Sequence, residues 1–228
     1  MISVRTAMAL MLGTIASLLL ALGYVSTWQV RTASLQAEAE SRRHESFRLA
    51  EAMRQSSNDL TRMVRLYVAT GEPRYKAYYD EILAIRNGTA PRPLDYDGSL
   101  WDRVLVEGKA TLQYGPAKSL EALMHEAQFS DSEFVALNAS RQASDALAEI
   151  EVQVMARVDE RIARGVDERY ILDVYPDYRR LADAAYHGHK DRIMAAVEHF
   201  ERLVDERTSG EVEALRYESK RLLSSQIS

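Results

Sequence analysis

Hydrophobic and polar positions alternate with helical spacing along almost the whole chain, after one stretch with no polar face. From Ala7 to Val25 the sequence reads AMALMLGTIASLLLALGYV and carries no charge. At ~1.5 Å per residue, a helix of that length spans about 28 Å, close to the hydrocarbon thickness of a bilayer. Arg5 precedes it, and Tyr24 and Trp28 lie at its far edge, where amphipathic rings favour the membrane interface. This predicts an uncleaved span with the amino terminus inside. The competing reading is a signal peptide cut near Ala21-Leu22-Gly23, but the apolar run is longer than a usual leader core.

Beyond the span, residues 26–70 contain neither proline nor glycine and are rich in Ala, Glu, Arg, Gln and Leu. Met53, Ser57, Leu60, Val64 and Tyr67 form a heptad seam, with Ser57 as its polar member. Gly71 ends this first helix and Pro73 opens a second, which runs to Arg86 with Asn87-Gly88 as its stop. The segment NGTAPRPLDYDGS reads as a loop. Short helical pieces are expected over Ser99–Glu107 and Ser119–Phe129, separated by GKATLQYGP. Ser130 and Glu133 form a capping box for a helix to about Arg164, with Val135, Ala139, Ala146, Ile150 and Val154 as its buried stripe. A loop over Gly165–Pro176 then precedes a last helix from Asp177 to Gln226. Ile193, Val197, Phe200 and Val204 form its seam, which Leu215 and Leu222 resume.

The expected fold is therefore all-α. An N-terminal transmembrane helix (residues 1–26 with its tail) continues into an antiparallel up-down-up-down four-helix-bundle-like domain (27–228) whose second helix is broken. That parity returns the chain to the membrane surface, as in a protein whose second span follows.

Composition sharpens the picture. The 228 residues include only 10 glycines and 5 prolines, roughly half the usual share, and four of the prolines lie between Gly71 and Pro116. With a net charge of -5 there is no footprint for nucleic acid, and with no cysteine there is no disulfide or thiolate chemistry. Walker, dinucleotide-binding, HExxH and nucleophile-elbow signatures are all missing, so the chain is expected not to be an enzyme and to need no cofactor.

Candidate chemistry is confined to a few groups. Arg62 and Arg65, beside the first seam, suit a carboxylate or phosphate, and Asn58 and Thr61 offer further hydrogen bonds. The plainer reading is surface ion pairing, such as Asp59 with Arg62. Half of the 12 tyrosines (Tyr67, Tyr75, Tyr78, Tyr79, Tyr96 and Tyr114) fall in one stretch with Trp101. Tyr67, Tyr96 and Trp101 could line a pocket, although such clusters more often pack a loop onto a core. His187, His189 and His199 lack the spacing of a metal site, and none is expected.

The run QSSNDLTRMVRLYVATG (55–71), Pro73-Arg74-Tyr75 and the segment from Ile82 through Pro91-Arg92-Pro93 to Trp101-Asp102 resemble the amino-terminal sensor regions of bacterial transmembrane receptors. Such regions precede methyl-accepting chemotaxis, histidine kinase or nucleotide cyclase outputs. The resemblance implies a homodimeric, largely periplasmic domain on the bacterial inner membrane, which binds a small anionic ligand or a partner and relays it by helix displacement. The alternative class is a single-pass helical scaffolding protein of the cell envelope.

Overall fold

The computed structural model describes residues 4–165 and 170–227. The protein is all-α. The helices are α1 (Val4–Thr70), α2 (Pro73–Asn87), α3 (Leu100–Glu107), α4 (Leu120–Glu126), α5 (Asp131–Ala163), α6 (Tyr170–Arg180) and α7 (Ala184–Ile227). Contacts divide the chain into two compact units, Met1–Arg43 with Arg207–Ser228, and His44–Glu206.

In the first unit, α1 carries the one described segment long and apolar enough to cross a membrane, and that apolar segment is not buried. Leucines and methionines from Met8 to Leu22 are exposed all round, as a lipid-facing helix requires. Further along, Ala39, Thr208 and Val212 are buried. Arg216 bonds Glu40 at 3.0 Å and Arg42 lies 4.0 Å from Glu211, so the two segments run antiparallel. The resumed seam stays half-buried at Leu215, and Leu222 lies outside the residues whose side chains are described.

In the second unit, residues of every helix share one apolar core. The α1 seam is buried throughout: Met53, Ser57, Leu60, Val64 and Tyr67. So is the α7 seam at Ile193, Val197, Phe200 and Val204. Cross-helix partners fix direction. On α1 and α7, Arg54 pairs with Glu201 and Thr61 with Lys190, and Arg65 bonds Leu181 just before α7. On α2 and α5, Lys76 pairs with Asp159, Tyr79 with Glu151, and Arg86 with Ser144. Residue numbers rise on one helix as they fall on the other, so each pair is antiparallel.

The capping box at Ser130 and Glu133 forms as expected. The α5 stripe does not: Val135 and Ala139 face solvent, and the buried series is Leu137, Ser140, Ser144, Leu147, Glu151, Val154 and Val158. Its spacing of three and four is strictly heptad, but three of its members are polar. A count of apolar residues alone therefore shifts the stripe onto the wrong face.

The carboxy-terminal helix also differs from expectation. Residues 170–176, expected as loop, are helical within α6, with Pro176 inside; residues 166–169 lie outside the described ones. The buried Asp177 carboxylate is gripped by Arg157 and Arg161 of α5, which docks α6 despite the donor that Pro176 lacks. The single helix expected from Asp177 is interrupted at Leu181–Asp183. Asp183 then caps α7, its carboxylate accepting from the Tyr186 amide at 2.8 Å.

The proline-rich loop is ordered by an isolated antiparallel bridge between Pro93 and Tyr114. Gly88, the left-handed cap of α2, sits against it with φ 74°, and a Cβ there would lie 2.4 Å from the backbone nitrogen of Ser119. Neither the backbone conformation nor the backbone neighbour can yield cheaply. Gly88→Ala is therefore expected to cost at least about 2 kcal/mol in urea unfolding, whereas Gly210→Ala, whose Cβ meets nothing within 4 Å, should stabilise by up to about 1 kcal/mol.

Candidate functional site

The heptad seams of the second unit carry polar residues at matching depth. Ser57 on α1, Glu151 on α5 and Lys190 on α7 all occupy positions where the spacing calls for an apolar side chain. Together with Tyr79 and Tyr186, which are fully buried, they form a polar layer across the core. Tyr79 donates to Glu151 at 2.7 Å and Tyr186 donates to its other oxygen at 2.6 Å. Lys190 Nζ donates to the Ser57 carbonyl at 2.9 Å, to Ser57 Oγ at 3.0 Å and to Thr61 Oγ1 at 3.1 Å. Thr61 Oγ1 lies 3.4 Å from the Tyr186 hydroxyl, which closes the layer between α1 and α7.

Burial sets the electrostatics. It raises the Glu151 carboxyl above its ordinary range, against the lowering effect of the two tyrosine hydroxyls and of Lys190. It raises both phenols, and the Glu151 charge adds to this. It pushes the Lys190 ammonium down to about 8, with Arg65 acting in the same direction while Glu151 and Asp59 oppose.

Thr61, Tyr186 and Lys190 of this layer also line a cleft of about 440 Å³. One wall is α1, with Asn58, Thr61, Arg62, Arg65 and Leu66; the other is α7, with Tyr186, His187 and Lys190. Four of the residues singled out from the sequence (Asn58, Thr61, Arg62 and Arg65) are thus gathered on one face, at the helical spacings of three and four. Arg65 Nη2 donates to the Leu181 carbonyl at 2.8 Å, and its guanidinium lies 5.7 Å from the centre of the Tyr186 ring. The interruption between α6 and α7 frees that carbonyl, so the break unseen in the sequence helps to aim Arg65.

Arg62 makes the ion pair with Asp59 expected of a surface helix, at 2.7 Å, and a second with Asp102 of α3. Its Nε is nonetheless buried without a hydrogen-bond partner. Asp59 is itself buried, and its carboxyl is pushed up to about 6 because burial outweighs the attraction of Arg62. Among the described residues, neither Arg65 nor Lys190 has a carboxylate within 4.0 Å. Three cationic groups therefore converge on one cleft, and only one of them is neutralised by contact.

The other three candidates lie elsewhere. Tyr67 is buried in the seam and its hydroxyl bonds Asp159, which also holds Lys76 at 2.5 Å. Trp101 is 2% exposed, donates to the Tyr96 hydroxyl at 3.4 Å and packs 5.5 Å from Tyr78. Tyr96 is buried beneath the Arg92 guanidinium at 4.3 Å and edges a different cleft with His44, Arg48 and Gln55. This cluster packs the proline-rich loop onto the core. Among the histidines, His187 lines the cationic cleft, while His189 and His199 pair with Arg192 and Arg202 on their own helix.

Sequence reasoning did not single out Tyr186, Lys190 or Glu151. The signal was present: stepping back from Ile193 by three and then four residues gives Lys190 and Tyr186, and the same spacing on α5 passes through Glu151.

No protein family, no curated protein and no solved structure matches this chain.

Proposed function

We propose that this chain is the extracytoplasmic sensing part of a membrane-anchored bacterial signalling receptor, and that the cleft between α1 and α7 binds a small anion such as a carboxylate or phosphate ester. One observation carries the reading: Arg62, Arg65 and Lys190 converge on a cleft in which Arg65 and Lys190 have no carboxylate partner among the described residues. Keeping such charges partly desolvated with no counter-charge in contact costs free energy that a bound anion returns. Asn58 and the open donors of the two guanidiniums would fix its orientation.

The membrane role rests on the unburied apolar segment of α1 and on the sequence resemblance. An anion bridging Arg65 of α1 and Lys190 of α7 changes the force between two helices, both of which continue into the other unit. A small sliding of packed helices is a known means of passing such a signal on. Within this reading the working form is a homodimer on the inner membrane with the bulk of the chain periplasmic.

The test is a thermal-shift screen of the full chain in nanodiscs against small mono- and dicarboxylates and phosphate esters. Chloride-matched controls separate binding from general salt effects. A saturable rise in melting temperature with one class of anion is the expected result. No response to any anion, together with stable capture of an envelope protein, would instead favour a scaffold.

A further inference from the structure

A second cleft, of about 300 Å³, lies where the end of α2 meets the start of α4 and one face of α5. Its apolar lining is Met53, Leu120 and Leu137, and its polar lining includes Arg86, Asn138 and Arg141. We infer that this cleft is a separate binding site for a short-chain carboxylate, with Arg86 holding the carboxylate and the three apolar side chains covering its tail.

Arg86 is placed for this by the α2 register. Tyr75, Tyr79 and Ile82 are buried at spacings of four and three, and the next step of that series is Arg86. The guanidinium consequently sits at a core-facing position, and burial pulls its pKa below the ordinary arginine value. Its Nη1 donates to Ser144 Oγ at 3.1 Å, a neutral acceptor. Its remaining N–H groups make no hydrogen bond among the described residues, and no carboxylate lies within 4.0 Å of it there. Arg86 is half-buried, attracted by Asp145 and Glu151 only from beyond contact distance, and bonded to one neutral partner, which leaves donors at the cleft for a ligand. The other charges lining the cleft do not use these donors: Arg141 pairs with Glu121 at 3.4 Å, which leaves the rim neutral.

The two clefts select differently. The first has three cationic groups and Leu66 as its one aliphatic wall; the second has one cation without a contacting carboxylate, Arg86, one paired with Glu121, and three apolar side chains. Its volume is at the low end of the ~300–1,000 Å³ typical of small-molecule sites, which suits a carboxylate with a few carbons.

The test uses the full chain in nanodiscs with labelled Leu and Met methyl groups, titrated with sodium butyrate or its neutral isostere butyramide at matched sodium chloride. Butyrate is expected to shift the Met53, Leu120 and Leu137 methyls saturably, and butyramide to bind about tenfold more weakly or worse. Arg86→Gln should weaken butyrate about tenfold or more, with partial recovery in Arg86→Lys. If Arg86→Gln does not fold, the butyrate–butyramide comparison on the natural sequence decides alone. No saturable shift at these methyls, equal affinity for butyramide, or shifts confined to Leu66 of the first cleft would each overturn the assignment. The first cleft is read separately, by Leu66 and by the double substitution Arg65→Gln, Lys190→Gln, so failure of this assignment is distinguishable from failure of that one.

Discussion

Glu151→Ala is expected to destabilise the second unit by about 3 kcal/mol in urea unfolding, more than any other single change in its polar layer. The carboxylate accepts from Tyr79 and Tyr186, both buried, and its removal leaves the Tyr79 hydroxyl without an acceptor, the Tyr186 hydroxyl with only its longer contact to Thr61, and Lys190 without the negative charge of this layer. Each orphaned hydroxyl costs about 1–3 kcal/mol. Glu151→Gln keeps an acceptor for one tyrosine and should cost less. Tyr79→Phe and Tyr186→Phe should each cost about 1 kcal/mol and be strongly non-additive with Glu151→Ala, since all three act through the same oxygens. A Glu151→Ala loss below about 1 kcal/mol would mean that the layer is not held by this carboxylate. The raised Glu151 pKa sets the sign of the pH effect. The folded state keeps its proton at a pH where the unfolded chain has lost it, so this group's contribution falls as pH rises from the ordinary carboxylate range through the raised value.

The double substitution Arg65→Gln, Lys190→Gln is expected to weaken anion binding at least about a hundredfold while leaving the chain folded. Two charge-assisted interactions worth about 1.5–3 kcal/mol each are lost together. Folding should survive because neither residue has a carboxylate partner to strand among the described residues. Lys190→Gln also keeps a donor for Ser57 and Thr61. The measurement is titration calorimetry with the anion that gives the largest thermal shift, alongside circular dichroism of the variant. Affinity within about threefold of the natural sequence would remove both residues from the site.

The helices were legible because their signals are local. Breaker-free stretches, the capping box at Ser130 and the stop at Gly88 depend on neighbours a few residues away. The seam on α1 was also legible, because four of its five members are apolar. The α5 seam was not, because Ser140, Ser144 and Glu151 occupy buried positions that hydrophobicity assigns to solvent. What keeps two of them inside is tertiary: Glu151 is stabilised by hydroxyls from α2 and α7, and Ser144 by Arg86. The interruption between α6 and α7 was hidden for a similar reason, since the grip of Arg157 and Arg161 on Asp177 comes from another helix.

The candidate site was half legible. Asn58, Thr61, Arg62 and Arg65 could be grouped from the helical period alone, and they do share a face. Their counterparts Tyr186, His187 and Lys190 lie more than a hundred residues away, and only the antiparallel pairing of α1 with α7 brings them opposite. The aromatic candidates Tyr96 and Trp101 illustrate the opposite case. A cluster dense in sequence is buried as packing, with its polar atoms turned on each other.

The most direct test of the anion site is the pH dependence of its affinity. Lys190, facing Glu151, Arg65 and Asp59, has its ammonium pushed down to about 8, so it loses charge in a window where carboxylate ligands, arginines and ordinary carboxyls do not titrate. A bound anion favours the protonated form, so affinity is highest below that value and lost above it. Titration of the strongest-binding carboxylate from pH 7 to 9.5 should show affinity falling as pH passes through about 8 in the natural sequence and staying flat in Lys190→Gln. An affinity that does not change across this range in the natural sequence, or that falls equally in the variant, would contradict the account.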